Sequence, residues 1–500
     1  MEQNKIKTWL PVLLSLSMIA GIFFGYKMRD SVPGKSFFFM EKRRPVQEIL
    51  DLVESRYVDE VNINDLSDTA IAAMLSHLDP HSSFIPAEKL ANVNEDIQGS
   101  FYGIGIEFNI FKDTLHVINV LEDGPSFDAG LRTGDKILKA GDSVLSGKKV
   151  TQERIRNVLR GPLGSVINVQ LLRGNKIVNL PITRGVIPLA SLDAAYMMDS
   201  SIGYIRLNKF STQTYKEFMT ALLELKKQGL KKLILDLRGN GGGVLDEAVE
   251  IADEFIAGDR LITYTEGKHV KRKEYRCRRE GRFETGELVV LADEGTASAS
   301  EILMGALQDW DRATIIGKRS FGKGLVQEQY DLSDKSALRL TVARYYTPLG
   351  RSIQRSYAHG GTAYYDEIYA RFDPGFQDSL VADSSKKFKT RGGKVLYGGG
   401  GIYPDVYISR DTARLSNTLS KLYGTGVLSD YGYRYIILHE DMVNKYKTPR
   451  SFVNAYTITD ENWKLLQHLA AEDSVDISGI SAKDKDYLKQ VLKSSIARQV

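Results

Sequence analysis

The sequence predicts a multidomain α/β protein, in which an α/β core follows a β-rich domain and precedes a helical extension. Its 500 residues exceed what one hydrophobic core usually organises. From residue 187 to 411 the predicted strands and helices alternate, which is typical of an α/β domain. Residues 97–186 combine short apolar strands with glycine turns. The other segments are an N-terminal membrane anchor (1–30), a linker with a small helical module (31–96) and a helical C-terminal extension (412–500).

Hydrophobic spacing and turn residues place the individual elements. Apolar residues recur at helical spacing from Pro45 to Leu78, and Asp79-Pro80 then ends the helical pattern. Gly174-Asn175 predicts a hairpin turn. The predicted strands are Ile104–Phe108, Leu115–Val120, Lys136–Ala140, Ser165–Arg173, Lys176–Arg184, Ile202–Leu207, Lys232–Leu237, Glu287–Ala292 and Ala337–Tyr346. The predicted helices are Thr151–Arg160, Thr214–Lys227, Leu245–Ile256, Ser298–Trp310, Asp460–Ala471 and Ala482–Ile496.

Charge and composition exclude some classes of function. The net charge of +4, from 67 basic and 63 acidic residues, gives no global attraction to nucleic acid. We interpret the basic run His269–Arg279 as a solvated strand or loop, because no nucleic-acid motif accompanies it. The single cysteine, Cys277, excludes an intramolecular disulfide and a cysteine metal cage. Because arginines lie beside it, a reactive thiolate of low pKa is an alternative role for this cysteine. We expect no metal or organic cofactor.

The N-terminus predicts a membrane anchor. Thr8–Tyr26 is a run of nineteen uncharged residues. As a helix it would span about 28 Å, close to the ~30 Å hydrocarbon core of a bilayer. No clear small-x-small cleavage site follows, so we expect the segment to be retained. A linker at Ser31–Lys42 would lead to the rest of the protein, on the periplasmic face of the inner membrane. The flanking basic residues are nearly balanced and support this orientation only weakly.

A serine at a helix start is the first candidate for chemistry. Thr296-Ala-Ser-Ala-Ser-Glu301 opens an amphipathic helix in which Ser298 precedes the first turn. Backbone N–H groups there can stabilise the oxyanion of an acyl-transfer reaction. The alternative is structural, because Ser298 and Glu301 have the spacing of a capping box.

Lys323 is the best candidate for the base that such a serine needs. None of the seven histidines lies in a motif that would bring it to Ser298. By two-residue alternation Gln327 shares a face with Lys323, so its carbonyl could accept a hydrogen bond from the amine. Fewer than about one lysine in a thousand is neutral at pH 7, so burial against Phe321 and Leu325 must lower the pKa. An exposed or anion-binding turn lysine is the alternative.

A glycine-rich loop supplies further backbone donors. Asp236-Leu-Arg-Gly-Asn-Gly-Gly-Gly243 follows a buried strand and exposes several N–H groups, which suits an oxyanion hole. A phosphate-binding loop is the alternative. No GK[ST] and no GxGxxG spacing accompanies it, which disfavours a nucleotide site.

Together these residues resemble the C-terminal processing (tail-specific) peptidases, which are serine enzymes with a Ser/Lys dyad and a PDZ domain. The resemblance covers roughly Pro45 to Ser409, and the motifs stand in the family's order. They are Leu78-Asp-Pro-His-Ser82, Ile202-Gly-Tyr-Ile-Arg206, Asp236-Leu-Arg-Gly-Asn240, Ser298-Ala-Ser-Glu301, Phe321-Gly-Lys-Gly324, Thr347-Pro-Leu-Gly-Arg-Ser-Ile-Gln354 and Gly401-Ile-Tyr-Pro-Asp405.

The resemblance implies a role for each matching residue. The nucleophile would be Ser298, not Ser300, with Lys323 as the general base and Gln327 as the residue that orients the lysine. No metal or cofactor is implied. Residues 187–411 would be the serine peptidase core and residues 97–186 the PDZ domain.

The same resemblance implies an oxyanion hole and includes one departure. Gly242, Gly243 and the N–H group of Ala299 fall where the family's oxyanion donors lie. The family commonly has proline where Gly241 stands, which predicts a more mobile loop here. Asp309 lies at a position implicated in some members, although we expect a carboxylate at a helix end or on the surface.

The PDZ resemblance implies a site for the C-terminus of a substrate. Its carboxylate-binding loop would consist of Gly103, Ile104, Gly105 and Ile106. The adjoining strand would add the peptide by β-augmentation, and an apolar pocket would prefer unstructured, hydrophobic C-termini. The alternative is that the isoleucines belong to the core. Arg184, at the exit of this domain, is a candidate for coupling peptide binding to the active site.

The implied function is a serine endopeptidase that binds a protein's C-terminus at the PDZ domain and cleaves nearby. Two alternatives stay open: a non-catalytic peptide-binding scaffold of the same fold, and a nucleotide-binding enzyme using the glycine loop. The extension at 412–500 lies outside the resemblance. It could be a dimerisation arm, which would make the protein a homodimer, or a substrate platform or a lid.

Overall fold

The computed structural model describes residues 3–31, 45–111, 113–147, 150–371, 387–409, 416–442, 445–446 and 448–500. The chain divides into two compact units, Met1–His77 and Leu78–Val500. The predicted linker lies outside the described residues from position 32 onward, as does the predicted boundary at 411/412.

The described residues of the first unit form three helices: α1 (Gln3–Ser31), α2 (Pro45–Arg56) and α3 (Ile63–Ser76). The region with helical spacing that begins at Pro45 therefore forms two separate helices, α2 and α3. They separate because the Asn62 side chain accepts the N–H groups of Asn64 and Asp65 and so starts α3 anew. In the described parts of the chain, no helix is long and apolar enough to cross a membrane. The anchor predicted over residues 1–30 is thus not confirmed, and the periplasmic location stays a prediction.

The second unit begins with β1 (Ser83–Ile85) and α4 (Ala87–Gln98), and the β-rich domain follows. The strands of this domain form a sheet in the order β3-β4-β5-β7-β8, with β6 beside β5, while β2 pairs with β9. Strand β3 is therefore an edge strand of its sheet. The elements are β2 (Ser100–Gly103), β3 (Ile106–Phe111), β4 (Thr114–Val120), α5 (Pro125–Asp128), β5 (Lys136–Ala140), β6 (Ser143–Val144), α6 (Gln152–Leu159), β7 (Val166–Arg173), β8 (Lys176–Thr183) and β9 (Gly185–Pro188).

A second α/β region supplies the main sheet, in the order β10-β11-β12-β15-β16-β21. All its pairings are parallel except that of β10 with β11. Helices α7, α8 and α9 bury apolar residues against this sheet, including Phe218, Ile251 and Leu303. The elements up to α9 are β10 (Leu192–Met197), β11 (Ile202–Leu207), α7 (Thr214–Lys227), β12 (Lys232–Asp236), α8 (Leu245–Asp253), β13 (Leu261–Glu266), β14 (Lys273–Arg276), β15 (Glu287–Ala292) and α9 (Ala299–Asp309).

The region also has an antiparallel sheet that the sequence analysis did not predict. Its order is β1-β18-β13-β14, and β17 also pairs with β18. The basic run predicted to be a solvated strand or loop contains its edge strand β14. The remaining elements are β16 (Thr314–Gly317), β17 (Leu325–Asp331), β18 (Ala337–Tyr346), α10 (Gly360–Ala370), β19 (Lys387–Lys389), β20 (Val395–Tyr397) and β21 (Val406–Tyr407).

Residues 416–500 form a helical region, called the C-terminal domain below. It has a separate apolar core that includes Leu422, Tyr431, Leu466 and Leu488. Its helices are α11 (Asn417–Thr425), α12 (Val427–Leu438), α13 (Pro449–Ala455), α14 (Asp460–Glu472) and α15 (Ala482–Ala497), with a 3₁₀ turn at Glu440–Met442.

Candidate active site

Three loops meet at one edge of the main sheet. Strands β12, β15 and β16 are neighbours and run parallel, so their carboxyl ends lie at the same edge. The glycine-rich loop follows β12, Ser298 follows β15, and Lys323 follows β16. The sheet therefore brings together segments that are distant in sequence, because Ser298 lies 55 residues after Gly243 and 25 residues before Lys323.

The loops enclose a cleft of about 460 Å³. All six residues that the family resemblance assigns to catalysis and to the oxyanion hole line it: Gly242, Gly243, Ser298, Ala299, Lys323 and Gln327. The cleft also has apolar walls, formed by Ile97, Val244, Leu245, Ile302, Leu325 and Val326. Gly241, Arg339 and Tyr345 complete the lining. Of the two predicted apolar neighbours of Lys323, Leu325 lines the cleft, and Phe321 packs against the ring of Tyr364.

Ser298 has a strained backbone. Its φ of 56° and ψ of −115° lie in a region that residues with a side chain rarely adopt. The surrounding segment holds it there, because the Asn240 carbonyl accepts the N–H of Ala297 and the hydroxyl of Ser300. Ser300 is thereby directed away from the cleft and into the glycine-rich loop. The arrangement places Ser298 at the sharp entry to α9 and next to the N–H group of Ala299 in the first turn.

One buried carboxylate connects the serine segment to the lysine loop. Glu301 Oε2 accepts the N–H groups of both Ser298 (2.9 Å) and Lys323 (2.8 Å). Its Oε1 accepts the N–H of Gly322 and the hydroxyl of Ser320. Glu301 is fully buried. The contact to Ser298 is the capping interaction that the sequence predicts, and the other three contacts were not predicted because they depend on the distant loop.

Glu301 has a perturbed pKa. Burial raises the pKa of its carboxyl group to about 7, against the hydrogen bonds from Ser320, Lys323, Ser298 and Gly322, which favour the charged form. Near neutral pH this group is therefore poised between its ionised and protonated forms. The ionised carboxylate can accept all four hydrogen bonds. The protonated acid has an O–H group of its own that takes up part of this acceptor capacity.

The amine of Lys323 lies in an environment that favours its neutral form. Burial lowers the pKa of Lys323, and the nearby charge of Arg339 lowers it further. The carboxylates of Glu301 and Asp79 oppose this shift without reversing it. In the part of the chain that the structure describes, no carboxylate forms an ion pair with the Lys323 amine. The direction of the shift is the one that a lysine base requires.

Tyr345 is a cleft residue that the sequence analysis missed. Its hydroxyl donates a hydrogen bond to the Lys323 carbonyl, and its side chain is buried. Burial raises the pKa of Tyr345 well above its ordinary value, the charge of Glu301 adds to the rise, and a hydrogen bond with Ser298 opposes it. Tyr345 therefore remains protonated and contacts both halves of the site. Strand β18 was predicted, but nothing in its alternation indicates that this position faces the cleft.

Gln327 lies in the cleft but does not make the predicted contact. Its amide Nε2 donates to Thr341 Oγ1 (3.3 Å), and the Thr341 hydroxyl donates to Asp79 (3.1 Å). Among the described residues, no hydrogen bond joins Gln327 to the Lys323 amine. The side chain is instead tied to the Asp79-Pro80-His81-Ser82 turn, whose role in positioning the strand was not visible in the sequence.

The glycine-rich loop approaches the serine segment too closely for any side chain. A Cβ on Gly242, which has a φ of 95°, would lie 2.7 Å from both Ala297 O and Ser298 Cβ. A Cβ on Gly243 would overlap the backbone of Phe210. A Cβ on Gly241 would meet nothing within 4 Å. Two of the three glycines are therefore sterically required, and the third is not.

The predicted oxyanion donors fall into two groups. The N–H of Gly242 donates to Asn240 Oδ1 (2.9 Å), so the prediction that it is a free donor is wrong for this structure. Among the described residues, the N–H groups of Gly243 and Ala299 donate to no protein acceptor. These two line the cleft and remain open to a substrate oxygen.

Three other sequence interpretations need correction or refinement. Asp309 is the last residue of α9, as the helix-end expectation has it, but it is buried, not on the surface, and pairs with the buried Arg351 at 2.6 Å. Cys277 is not a reactive thiolate, because burial and the neighbouring Asp253 raise the pKa of its thiol to about 12. Arg184 donates to the carbonyls of Val158 and Leu159, at the end of α6, so its contacts lie within the β-rich domain.

The predicted carboxylate-binding loop lies between β2 and the edge strand β3. Gly105 has a φ of 74°, a conformation that favours glycine. Among the described residues, the N–H groups of Ile104 and Gly105 donate no hydrogen bond. The side chain of Ile104 belongs to the domain core, as the alternative interpretation expected for at least one isoleucine, whereas Ile106 only packs against that core. Gly103, at the end of β2, is buried.

Comparison with known proteins identifies the family. Residues 201–361 match the model of "Peptidase family S41", residues 103–183 match the PDZ domain, and residues 418–500 match a family of unknown function. The carboxy-terminal-processing protease of Bartonella bacilliformis is 36% identical over 313 residues, which cover 61% of this chain and 71% of that protein. A relative from Staphylococcus haemolyticus, named as a probable CtpA-like serine protease, is 30% identical and covers 77% of both chains. The chain belongs to peptidase family S41.

This S41 peptidase is thus a serine-type member of the C-terminal processing proteases, and its β-rich domain is a PDZ domain. Among solved structures, the photosystem II D1 C-terminal processing protease is 26% identical, with a TM-score of 0.37 over 75% of this chain and 88% of that one.

Proposed function

We propose that this protein is an endopeptidase that cleaves protein substrates near their C-terminus, with Ser298 as nucleophile and Lys323 as general base. The observation that carries the proposal is the Glu301 carboxylate, which accepts the N–H groups of both residues and so fixes them in one cleft. The lowered pKa of Lys323 supports its role as a base. A capping serine accounts for the contact of Glu301 with Ser298, but neither it nor an exposed lysine requires the contact of Glu301 with Lys323 or the burial of that lysine.

Acylation follows from this geometry. The neutral Lys323 amine takes the proton of the Ser298 hydroxyl while the oxygen attacks the carbonyl carbon of the scissile peptide. The negative charge that develops on the carbonyl oxygen is stabilised by the N–H groups of Gly243 and Ala299. The Lys323 ammonium then gives its proton to the leaving amine as the C–N bond breaks.

In deacylation, water replaces Ser298 as the nucleophile, and Ser298 becomes the leaving group. Lys323, neutral again, takes a proton from a water molecule that attacks the ester carbon. The same two N–H groups stabilise the second oxyanion. Collapse of the intermediate releases the acid product, and the proton returns from Lys323 to Ser298. No metal or organic cofactor takes part in either step.

We further propose that the PDZ domain recognises the substrate's C-terminal tail. The free N–H groups of Ile104 and Gly105 would hold the terminal carboxylate, and the edge strand β3 would pair with the tail backbone. The apolar side chains that β3 directs to the domain core, with those of α6, favour a hydrophobic terminal residue. The tail thereby delivers an upstream, unstructured segment to Ser298.

Mass spectrometry of the products from an unfolded substrate with a hydrophobic tail tests this function. The native protein should release discrete fragments, while Ser298→Ala should release none and still bind the tail. Ser300→Ala is the matched control, because its hydroxyl bonds the Asn240 carbonyl and it should retain most of the activity. Equal cleavage by Ser298→Ala would refute the assignment, and tail binding without cleavage by the native protein would indicate a peptide-binding scaffold.

A further inference from the structure

Two buried aromatic rings join the PDZ domain to the C-terminal domain. Phe111, at the end of β3, is 8% exposed, and Tyr433, on α12, is 3% exposed. Their rings stack with centroids 5.3 Å apart and an interplanar angle of 1°. Neither belongs to the apolar core of its own domain. Each ring is therefore buried because the other domain covers it.

Polar contacts surround this stack. Asn109 Nδ2 donates to Asp430 Oδ1 (2.9 Å), and His116 Nδ1 lies 3.1 Å from the Tyr433 hydroxyl. Burial, together with the charges of Lys136 and Arg434, lowers the pKa of His116 to about 4. The ring is thus neutral near pH 7, and its Nδ1 can accept a hydrogen bond from the Tyr433 hydroxyl. The guanidinium of Arg434 covers the other side of the junction, 5.3 Å from the centroid of the Phe111 ring.

These contacts involve one face of strand β3. Alternate residues of β3 pack against the PDZ core: Ile106, Phe108 and Ile110. The residues between them contact the C-terminal domain: Glu107 with Arg498 (3.8 Å), Asn109 with Asp430, and Phe111 with Tyr433. Strand β3 is therefore held on one face by its own domain and on the other by the C-terminal domain, and no strand of the described residues pairs with its outer edge.

We propose that residues 416–500 form part of the tail-recognition site, by bracing the strand to which the substrate tail adds. This inference rests on the proposed function of the PDZ domain. A peptide that joins a sheet edge needs an extended and ordered strand, and it binds more weakly if it must order that strand itself. Docking of the C-terminal domain supplies this order before the tail arrives. By linkage, tail binding must strengthen the docking by the same factor.

The stack offers a direct test in the full chain. The parent protein carries Ser298→Ala so that a bound tail is not cut, and the probe is a fluorescent hydrophobic peptide with a free terminal carboxylate. Tyr433→Ala removes the ring that covers Phe111, and we expect the peptide Kd to rise about tenfold. Tyr433→Phe keeps the ring, and we expect a Kd within about threefold of the parent value.

Tyr423→Ala is the matched control in the same domain. Its exposed ring lies on α11, where its hydroxyl bonds that of Tyr487, and the Kd should not change. With Ser298 restored, Tyr433→Ala should raise KM for a tailed substrate. It should leave the hydrolysis of a short peptide without a tail unchanged, which a general loss of structure would not do.

A second variant covers the case in which Tyr433→Ala fails to fold. Asp430→Ala removes the contact with Asn109, and the Kd should rise about threefold. An unchanged Kd in the folded variants overturns the inference and leaves tail recognition intact. If the parent protein itself binds no tail, the proposed function of the PDZ domain fails instead.

Discussion

The candidate active site and strand β3, to which the substrate tail is proposed to add, are organised in opposite ways. In the cleft, the side chains of Glu301 and Asn240 accept hydrogen bonds from backbone N–H groups of three converging loops. Among the described residues, the N–H groups of Gly243 and Ala299 in these loops donate to no protein acceptor. In the PDZ domain, the outer edge of strand β3 pairs with no strand of the described residues, and packing on both faces holds β3 in place. The proposed chemistry thus depends on fixing a few atoms, whereas the proposed tail recognition depends on keeping one strand extended.

Removing the neutral amine should have the largest effect on the cleft. Lys323→Arg keeps a positive charge that cannot be lost near neutral pH, so we expect kcat to fall by at least about 10⁴-fold. Lys318→Arg is the matched control, because Lys318 forms an ion pair with Glu294 at 3.0 Å and should retain activity. Measurable hydrolysis by Lys323→Arg near the native rate would show that another group is the base.

A side chain in the glycine-rich loop should be the next most damaging change. Gly242→Ala would force the loop away from Ala297 and Ser298 and displace the oxyanion donors. We expect kcat to fall about 10²- to 10³-fold. Gly241→Ala, one residue earlier, places its methyl group in open space and should be close to native. Both kcat values are measured on the same substrate. An equal fall for the two variants would contradict the steric requirement for glycine at position 242.

Replacing the connecting carboxylate should have a smaller effect. Glu301→Gln keeps the shape but leaves only one acceptor oxygen, so the serine and lysine segments lose part of their common support. We expect kcat to fall about 10²-fold. Native activity should also decline as the pH falls through about 7, because Glu301 becomes protonated there. A pH–rate profile of Glu301→Gln should lack this step, and an identical profile would contradict the role of Glu301.

Changing the substrate's C-terminus should weaken its binding to the proposed tail-binding strand, β3, and leave the catalytic step unaffected. A substrate with an amidated C-terminus loses the charge that the N–H groups of Ile104 and Gly105 would hold. We expect KM to rise about tenfold with little change in kcat. Equal KM values for the amidated and free forms would mean that the terminal carboxylate is not recognised at this loop.

The sequence predicted the elements that carry strong patterns. Strands β11, β15 and β18 and helix α7 have the predicted bounds, because their apolar alternation or helical spacing is regular. Short strands such as β16 and β21 were missed, since so few residues show no clear period. Local context made Ser298, at a helix start, and Lys323, in a glycine-flanked turn, candidates, and the family resemblance then assigned their roles.

The rest of the site could not be predicted because it depends on contacts between distant segments. The three additional hydrogen bonds of Glu301 require the loop after β16, and the contact of Tyr345 with Lys323 requires the pairing of β17 with β18. The donor of Gly242 was assigned by position in the motif, but Asn240, two residues earlier, accepts it. The junction of Phe111 and Tyr433 joins residues more than 300 positions apart.

The most direct test of the account is the pH dependence with which an active-site-directed phosphonylating probe modifies Ser298. The rate should rise with pH in proportion to the neutral fraction of Lys323. It should level off at a pKa below the ordinary lysine value of 10.5, and Lys323→Arg should not react. A rate that is unchanged in Lys323→Arg, or that does not depend on pH in the native protein, would contradict the claim that a neutral lysine activates this serine.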